Sequence, residues 1–408
     1  MKTSNSAQSI VSQATFQAKL DYFFNTGLTL NLPFAIWKSP NKSSIRATLQ
    51  LDHQETSIDE IESAPTGFLF HPFEKSDDHR RMFIRSEVSL DSERNEVLLS
   101  PSYTGGQDHY QKFHDTFLKL AEESNFDFRP FLATAPVFSS EKKEYVNLVN
   151  QCKSSIENGS YQKIVPSRRG IHNTERDFHP VEEFFNLAEA YENAFVSLVY
   201  IPNHGLWIGA TPELLISVED RTKFKTISLA GTQELLPKAS IAQTAWMQKE
   251  IEEQALVSRY IVNCFKQIRL RDFKESGPKT VKAGNLIHLK TIFEVDMSAV
   301  GFPQLGTVML DLLHPTSAVC GMPMKPAAKF LKENEGYDRE YYSGYLGPVN
   351  DQNNTQIYVN LRCARIYKHK MVLFAGAGVT EDSDAEKEWD ETELKAKTLL
   401  NILNLIEV

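Results

Sequence analysis

The chain has 408 residues, 41% of them hydrophobic and 24% charged, with a formal net charge of -9. Those fractions belong to a globular protein with a sizeable core, and the length fits two ordinary domains or one large α/β domain. The negative charge argues against a nucleic-acid surface, which needs a basic stripe. Cys152, Cys264, Cys320 and Cys363 stand far apart with no CxxC, so neither a zinc site nor a disulfide framework is indicated, and a reducing compartment fits. The first 24 residues lack the sustained apolar core of a signal peptide, and no run is long enough to span a bilayer. The expectation is a soluble, cytoplasmic protein with no membrane partner.

Residues 7–24 read as an amphipathic helix marked by Ile10, Phe16, Leu20 and Phe23. Residues 28–52 read as a hairpin around the Pro-Asn-Lys-Ser turn at 40–43. GFLFHPF at 67–73 and RMFIRSEVSL at 81–90 read as strands, and 107–124 as a helix. This first third carries no chemical constellation. His71, His109 and His114 have no partner at a ligand spacing and read as packing or surface residues. FLATAPVFSS at 131–140 looks like a link into the second part.

A helix follows, with Tyr145, Val149, Cys152 and Ile156 at helical spacing, ended by Asn158-Gly159. YQKIVPSR at 161–168 reads as a strand with Lys163 among apolar neighbours. A lysine pointing inward is costly unless it is paired or neutral. Alternation alone leaves a solvent-facing Lys163 open. Residues 195–219 hold two strands joined by a Pro-Asn-His-Gly turn, and Thr211-Pro212-Glu213 punctuates the second. A partly buried Glu213 would have its pKa raised toward a general acid's; the plain alternative is a turn glutamate.

Residues 226–232 run as a strand into Gly231-Thr232. A helix from near Thr244 to about Ile268 carries Glu250 and Glu253 on the face of Val257 and Tyr260. Glutamates that share a face with apolar residues stand out from those on a wholly polar one. His288 lies on a strand, and residues 305–313 read as a helix ending at His314-Pro315-Thr316. Gly321-Met322-Pro323 leads into another helix, and residues 337–347 form an aromatic, glycine-rich turn. Ile357–Ala364 then pairs with Met371–Phe374.

That last strand ends at Gly376-Ala377-Gly378, which leaves backbone N–H groups free to approach an anion. Ser383 or Asp384 is placed to cap the next helix. On it Glu388, Glu391 and Lys395 fall at i, i+3 and i+7, on one face. Two carboxylates and a lysine there suit a hard cation with an anionic substrate bound to it. A solvated helix with an i, i+4 Glu–Lys pair accounts for the same spacing. There is no internal repeat and no low-complexity segment.

Ordered segments now line up: YQKIVPSRR, GATPELL, SLAGT, KEIEEQALV, HLKT, LHPTSAVCGMP, YDREYYSG, VNLRCA, FAGAGV and EWDETELK. Together they resemble the chorismate-utilising enzymes. These are isochorismate synthase, salicylate synthase, and the large subunits of anthranilate and aminodeoxychorismate synthases. The resemblance covers residues 140–404. Residues 1–139 match only in their strand-rich character. It implies one two-lobed chorismate-binding domain over 1–408, of α+β class. Two large antiparallel β-sheets would pack face to face, with helices outside and the site in a cleft between lobes. It also implies Mg²⁺, with Glu253 and Glu391 matching the metal-binding glutamates and Glu250 and Glu388 as nearby or water-mediated ligands. Arg362 and Lys395 match the groups that hold substrate carboxylates, helped by Tyr342 and the backbone of Gly231, Thr232, Gly376 and Gly378. His288 matches an active-site histidine.

Three positions choose among the branches. Lys163 matches the general-base lysine of enzymes that add water at C2 of chorismate, where anthranilate synthases resemble glutamine. Ala230 stands where aminodeoxychorismate synthases carry a nucleophilic lysine. Ala318 stands where salicylate synthases carry a threonine associated with pyruvate elimination. The resemblance therefore implies isochorismate synthase, with salicylate synthase or an aminating subunit as the alternative. In that reaction Lys163 takes a proton from the water attacking C2, and Glu213 protonates the hydroxyl leaving C4. The family also suggests a monomer, and the reading leans to menaquinone over a catechol siderophore. Gln254 and Thr211 depart from the family's usual histidine and serine. Pro166 replaces a leucine and removes one strand hydrogen bond, a change that could shift the aim of Lys163.

Overall fold

In the computed structural model, which describes residues 2–74, 81–123, 125–138, 141–234, 244–283 and 286–406, two large sheets hold most of the strands. The first has ten, ordered Leu405–Ile406, Ser167–Thr174, Lys370–Gly376, Cys363–Ile366, Gly205–Thr211, Phe195–Ile201, Phe34–Lys38, Ile45–Leu49, Val88–Asp91 and Glu96–Leu99. The second has nine, ordered Lys274–Ala283, Leu286–Asp296, Lys223–Glu234, Leu214–Glu219, Thr355–Val359, Tyr345–Val349, Gly67–His71, Arg81–Arg85 and Thr56–Ile58. Neighbouring strands pair antiparallel.

The sheets pack face to face across an aromatic layer. Trp37 of the first meets Phe68 of the second with ring centroids 5.3 Å apart, and Phe195 stacks on Tyr358 at 4.3 Å. Such a layer explains why FVSLVYI reads as a continuous apolar run rather than an alternating one: all seven residues are buried. Helices cover the outer faces. Phe16–Thr29, Gln107–Glu122 and Pro180–Ala190 bury their apolar stripes with the first sheet. Lys142–Glu157, Gln248–Gln267, Leu305–Leu313 and Met324–Asn334 do so with the second. The expected α+β architecture is the one observed. The first third supplies strands to both sheets, so it is woven into the same body.

Several boundaries differ from the sequence reading. Residues 7–24 form parts of two helices, Lys2–Gln13 and Phe16–Thr29, because Thr15 caps the second by accepting the Ala18 N–H at 3.3 Å. That helix buries Leu28, which moves the start of the hairpin to Phe34. The helix expected from Thr244 starts at Gln248. Four stretches read as single strands change partners within their length. RMFIRSEVSL leaves the second sheet after Arg85 and enters the first at Val88. YQKIVPSR breaks at Pro166: Lys163–Ile164 pairs with Gly321–Met322 in a separate two-stranded piece, and Ser167 starts the next strand.

The other two breaks lie side by side. Gly205–Thr211 belongs to the first sheet and Leu214–Glu219 to the second, with Pro212-Glu213 between them. Thr355–Val359 belongs to the second and Cys363–Ile366 to the first, with Asn360-Leu361-Arg362 between them. Pro212 has no N–H to continue a ladder, and Arg362 has φ 48°. The two crossings bond to each other: Ala210 N–H donates to Arg362 O and Val359 N–H donates to Glu213 O, both at 3.0 Å. The Thr211 hydroxyl donates to Val359 O at 2.6 Å.

All four cysteines are buried free thiols. Among the described residues, no helix is long and apolar enough to cross a membrane. Gly347 tests how closely the strands approach beside the crossings. It has φ 152°, and a Cβ there would stand 1.9 Å from the Gln356 carbonyl oxygen. Gly347→Ala is expected to cost more than about 1 kcal/mol, read as a lower midpoint in urea unfolding; an unchanged midpoint would refute the close approach.

Candidate active site

Lys163 is 6% exposed on its two-residue strand, opposite Met322. Its Nζ lies 3.2 Å from Glu253 Oε1, so of the readings left open, pairing is the one found. Gly378 makes room for it, since a Cβ there would stand 2.6 Å from Lys163 Cε. Ile164 and Val379 exchange backbone hydrogen bonds at 3.1 and 2.8 Å, which joins the lysine strand to the Gly376-Ala377-Gly378 turn. Glu253 is half-buried on the Gln248–Gln267 helix. Lys163 holds its pKa below the ordinary carboxylate range, against burial and the charge of Glu391.

Glu391 and Lys395 stand on the Ala385–Leu400 helix, where the Asp384 carboxylate caps the first turn by accepting the Glu386 and Lys387 N–H groups. Lys395 Nζ lies 2.7 Å from Glu391 Oε1 and donates to Gly376 O at 2.7 Å. Two helices thus present one carboxylate each, and each carboxylate has its own lysine.

The paired crossings supply the next two groups. Glu213 touches solvent but is packed round by protein, and burial pushes its pKa up to about 7 against the pull of Lys395, Lys163 and Arg362. Its N–H approaches Thr211 Oγ1 at 3.4 Å. Arg362 has its pKa drawn down by burial, while the Tyr342 hydroxyl and Glu391 support its charge. Its Nη1 donates to Thr398 Oγ1 at 3.4 Å. A carboxyl held near neutrality at the edge of a cationic cluster is an acid able to give a proton at physiological pH.

His288 pairs in register with Thr232, across a bulge at Gly231. Burial and then Arg362 hold its pKa down at about 4, so the imidazole is neutral at pH 7. Burial raises the Tyr342 phenol to about 12, and its ring stacks on Phe374 at 5.4 Å. The Tyr342 hydroxyl borders Gly376.

Other predicted residues are used differently or stand apart. The Glu250 carboxylate accepts the Met247 N–H at 3.0 Å, as a helix cap. Glu388 is 4% exposed, within electrostatic reach of Tyr145. Ala318 is half-buried in the turn between His314 and Cys320. The Thr232 side chain lies outside the described residues. Sequence reading missed Thr211 as the anchor of the Glu213 crossing. It also missed Arg339, which is 3% exposed beneath the site and whose one visible signal is its place in the aromatic turn.

Among the described residues, no group of three or more His, Cys, Asp or Glu side chains converges as a ready cation cage. Glu253 and Glu391 are nonetheless the right donors for Mg²⁺, which takes one or two carboxylates and fills its remaining positions with water and substrate oxygens. The residues present fit that cation.

A sequence profile described as chorismate binding enzyme matches residues 48–404. The chain belongs to the chorismate binding enzyme family. Isochorismate synthase EntC of Escherichia coli (strain K12) is 31% identical to it over 212 residues, 51% of this chain and 53% of that protein. The chain therefore spans about half the length of that curated relative. The vibriobactin-specific isochorismate synthase of Vibrio cholerae is 27% identical over 273 residues, 65% of this chain and 67% of that protein. Among solved structures, MenF, the menaquinone-specific isochorismate synthase from Escherichia coli, shares the fold. Its TM-score is 0.71 at 20% identity, over 91% of this chain and 88% of that one.

In this chorismate binding enzyme, Glu213 gives a test independent of turnover. Its folded pKa of about 7 exceeds the ordinary 4.5, so the folded state holds the proton more tightly. That contribution to stability is complete below pH 4.5 and is lost as pH rises through about 7. Glu213→Gln cannot titrate. Its unfolding free energy relative to wild type is expected to rise between pH 5 and pH 8; a difference independent of pH, measured by urea titration, would remove the buried acid.

Proposed function

We propose that this chorismate binding enzyme converts chorismate to isochorismate. The observation that carries the reading is the placement of an acid and an amine around one cluster. Glu213 is raised to about 7 at a sheet crossing, and the buried Lys163 comes from a different segment. Lys163 acts in its free-amine form, having given up the proton that it holds in the resting pair with Glu253, and takes a proton from the water that adds at C2. The ring double bonds shift, and Glu213 gives its proton to the hydroxyl that leaves C4. Arg362 and Lys395 hold the substrate carboxylates, and the neutral His288 and Tyr342 offer hydrogen bonds without adding charge. Mg²⁺ held by Glu253 and Glu391 would screen the ring carboxylate and fix its orientation. Ala230 has no nucleophile to offer, and Ala318 lacks the hydroxyl associated with onward elimination.

The use proposed for the product is menaquinone supply, with siderophore supply as the alternative. A strain lacking the protein should lose menaquinone from its quinone profile; an unchanged profile would point to siderophore supply instead.

Purified protein given chorismate and Mg²⁺, with and without ammonium, should yield isochorismate as the main product by chromatography. A chelator should abolish it. Lys163→Ala and Glu213→Gln should each lose on the order of 10²–10⁴ in rate, with chorismate binding retained. Salicylate as the main product, or anthranilate when ammonium is present, would overturn the branch assignment.

A further inference from the structure

The strand that carries Lys163 belongs to neither large sheet. Its partner is Gly321–Met322, and a two-stranded piece of this size has little stability of its own. Pro166 then removes the N–H that would extend pairing toward Ser167. The bridge to Val379 ties Ile164, and beyond it pairing thins to single backbone bonds: Val165 N–H donates to Cys320 O at 3.0 Å and Ala377 N–H donates to Pro166 O at 3.2 Å, before Ser167 joins the first sheet opposite Gly376.

Arg339 adds side-chain bonds to this thinly paired stretch. Its Nη2 donates to Val165 O at 2.7 Å, two residues from Lys163. Its Nη1 donates to Val319 O at 2.7 Å, one residue from Ala318. Nε and Nη2 also grip the two oxygens of Glu335, at 2.7 and 2.5 Å, so the guanidinium plane is fixed. Glu335 Oε1 accepts both the N–H and the hydroxyl of Ser167, at 2.7 and 2.9 Å. Tyr337 Oη lies 2.7 Å from that hydroxyl. One ion pair therefore holds the residues on both sides of Pro166.

A buried ion pair by itself is weak support for stability, since apolar residues often serve a fold as well. An apolar pair could not, however, hold two carbonyls from two segments at a set distance. We propose that Arg339 is a positioning residue, clamping the Lys163 strand to the turn that carries Ala318 so that the amine keeps its aim despite Pro166. The proposal rests on Lys163 being the base of the reaction above.

Arg339→Lys keeps the charge but cannot serve Glu335 and both carbonyls at once. Its kcat is expected to fall ~10–100-fold, with KM for chorismate within about twofold of wild type. Arg81→Lys is the matched control. Arg81 is 2% exposed and paired with Asp311 at 2.6 Å, so its loss should lower the thermal midpoint and leave kcat near wild type. If Arg339→Lys behaves like this control, the clamp is only structural and the proposal falls. Should Arg339→Lys not fold, Ser167→Ala and Tyr337→Phe trim the same network and should lower kcat at constant KM; unchanged kcat in both overturns the proposal. If wild type turns over no chorismate, the functional reading fails on its own. Hydrogen exchange then decides the clamp: residues 161–168 and 318–322 should exchange faster in Arg339→Lys than in Arg81→Lys, and equal rates would refute it.

Discussion

Two sheets pressed together through Trp, Phe and Tyr rings confine charge to partly exposed pairs such as Arg46–Asp351 and Arg365–Glu340. Charge also appears where the chain leaves one sheet for the other. Glu213 and Arg362 sit at two such crossings, and those crossings are hydrogen-bonded to each other. An acid and a base of opposite sign are thereby set at one level of the structure by backbone alone. The aromatic layer behind them supplies the low dielectric that moves both pKa values, Glu213 up and Arg362 down.

Around that pair the charges balance in a way suited to an anion. Glu253 and Glu391 repel each other, and each is offset by its own lysine. Arg362 is the further cation, and Glu213 is half-protonated near pH 7. Tyr342 and His288 stay neutral. Three cations thus stand close to these carboxyls in a chain whose formal charge is -9, so an anion meets fixed positive partners there although the chain as a whole is acidic.

Much of the site was legible in the sequence because it comes from short ordered segments. Periodicity put Glu391 and Lys395 on one face, and they are in contact. The same periodicity put Glu388 beside them, yet it is buried, since spacing reports a face but not what covers it. Glu250 looked equivalent to Glu253 and is drawn off to cap its helix, a local competition that composition cannot reveal. The strand changes at Glu213, Arg362 and Pro166 were hidden for a related reason. An apolar run buried on both faces looks alike in either sheet, and only the partner strands distinguish them. Arg339 was invisible as a clamp because its acceptors, Val165 and Val319, are distant in sequence.

The buried thiols carry one more consequence. Cys152 is on the Lys142–Glu157 helix, Cys264 on the helix that bears Glu253, Cys320 beside the Ala318 turn, and Cys363 next to Arg362. Burial lifts the first three to about 12, about 11 and about 12, and raises Cys363 as well. Each sulfur is therefore held as the unreactive thiol while its element is packed, since the thiolate is the form that attacks. The molecule carries four native alkylation clocks, three in the core behind the second sheet and one, Cys363, between the sheets. The order in which they become labelled would record which part of the core opens first.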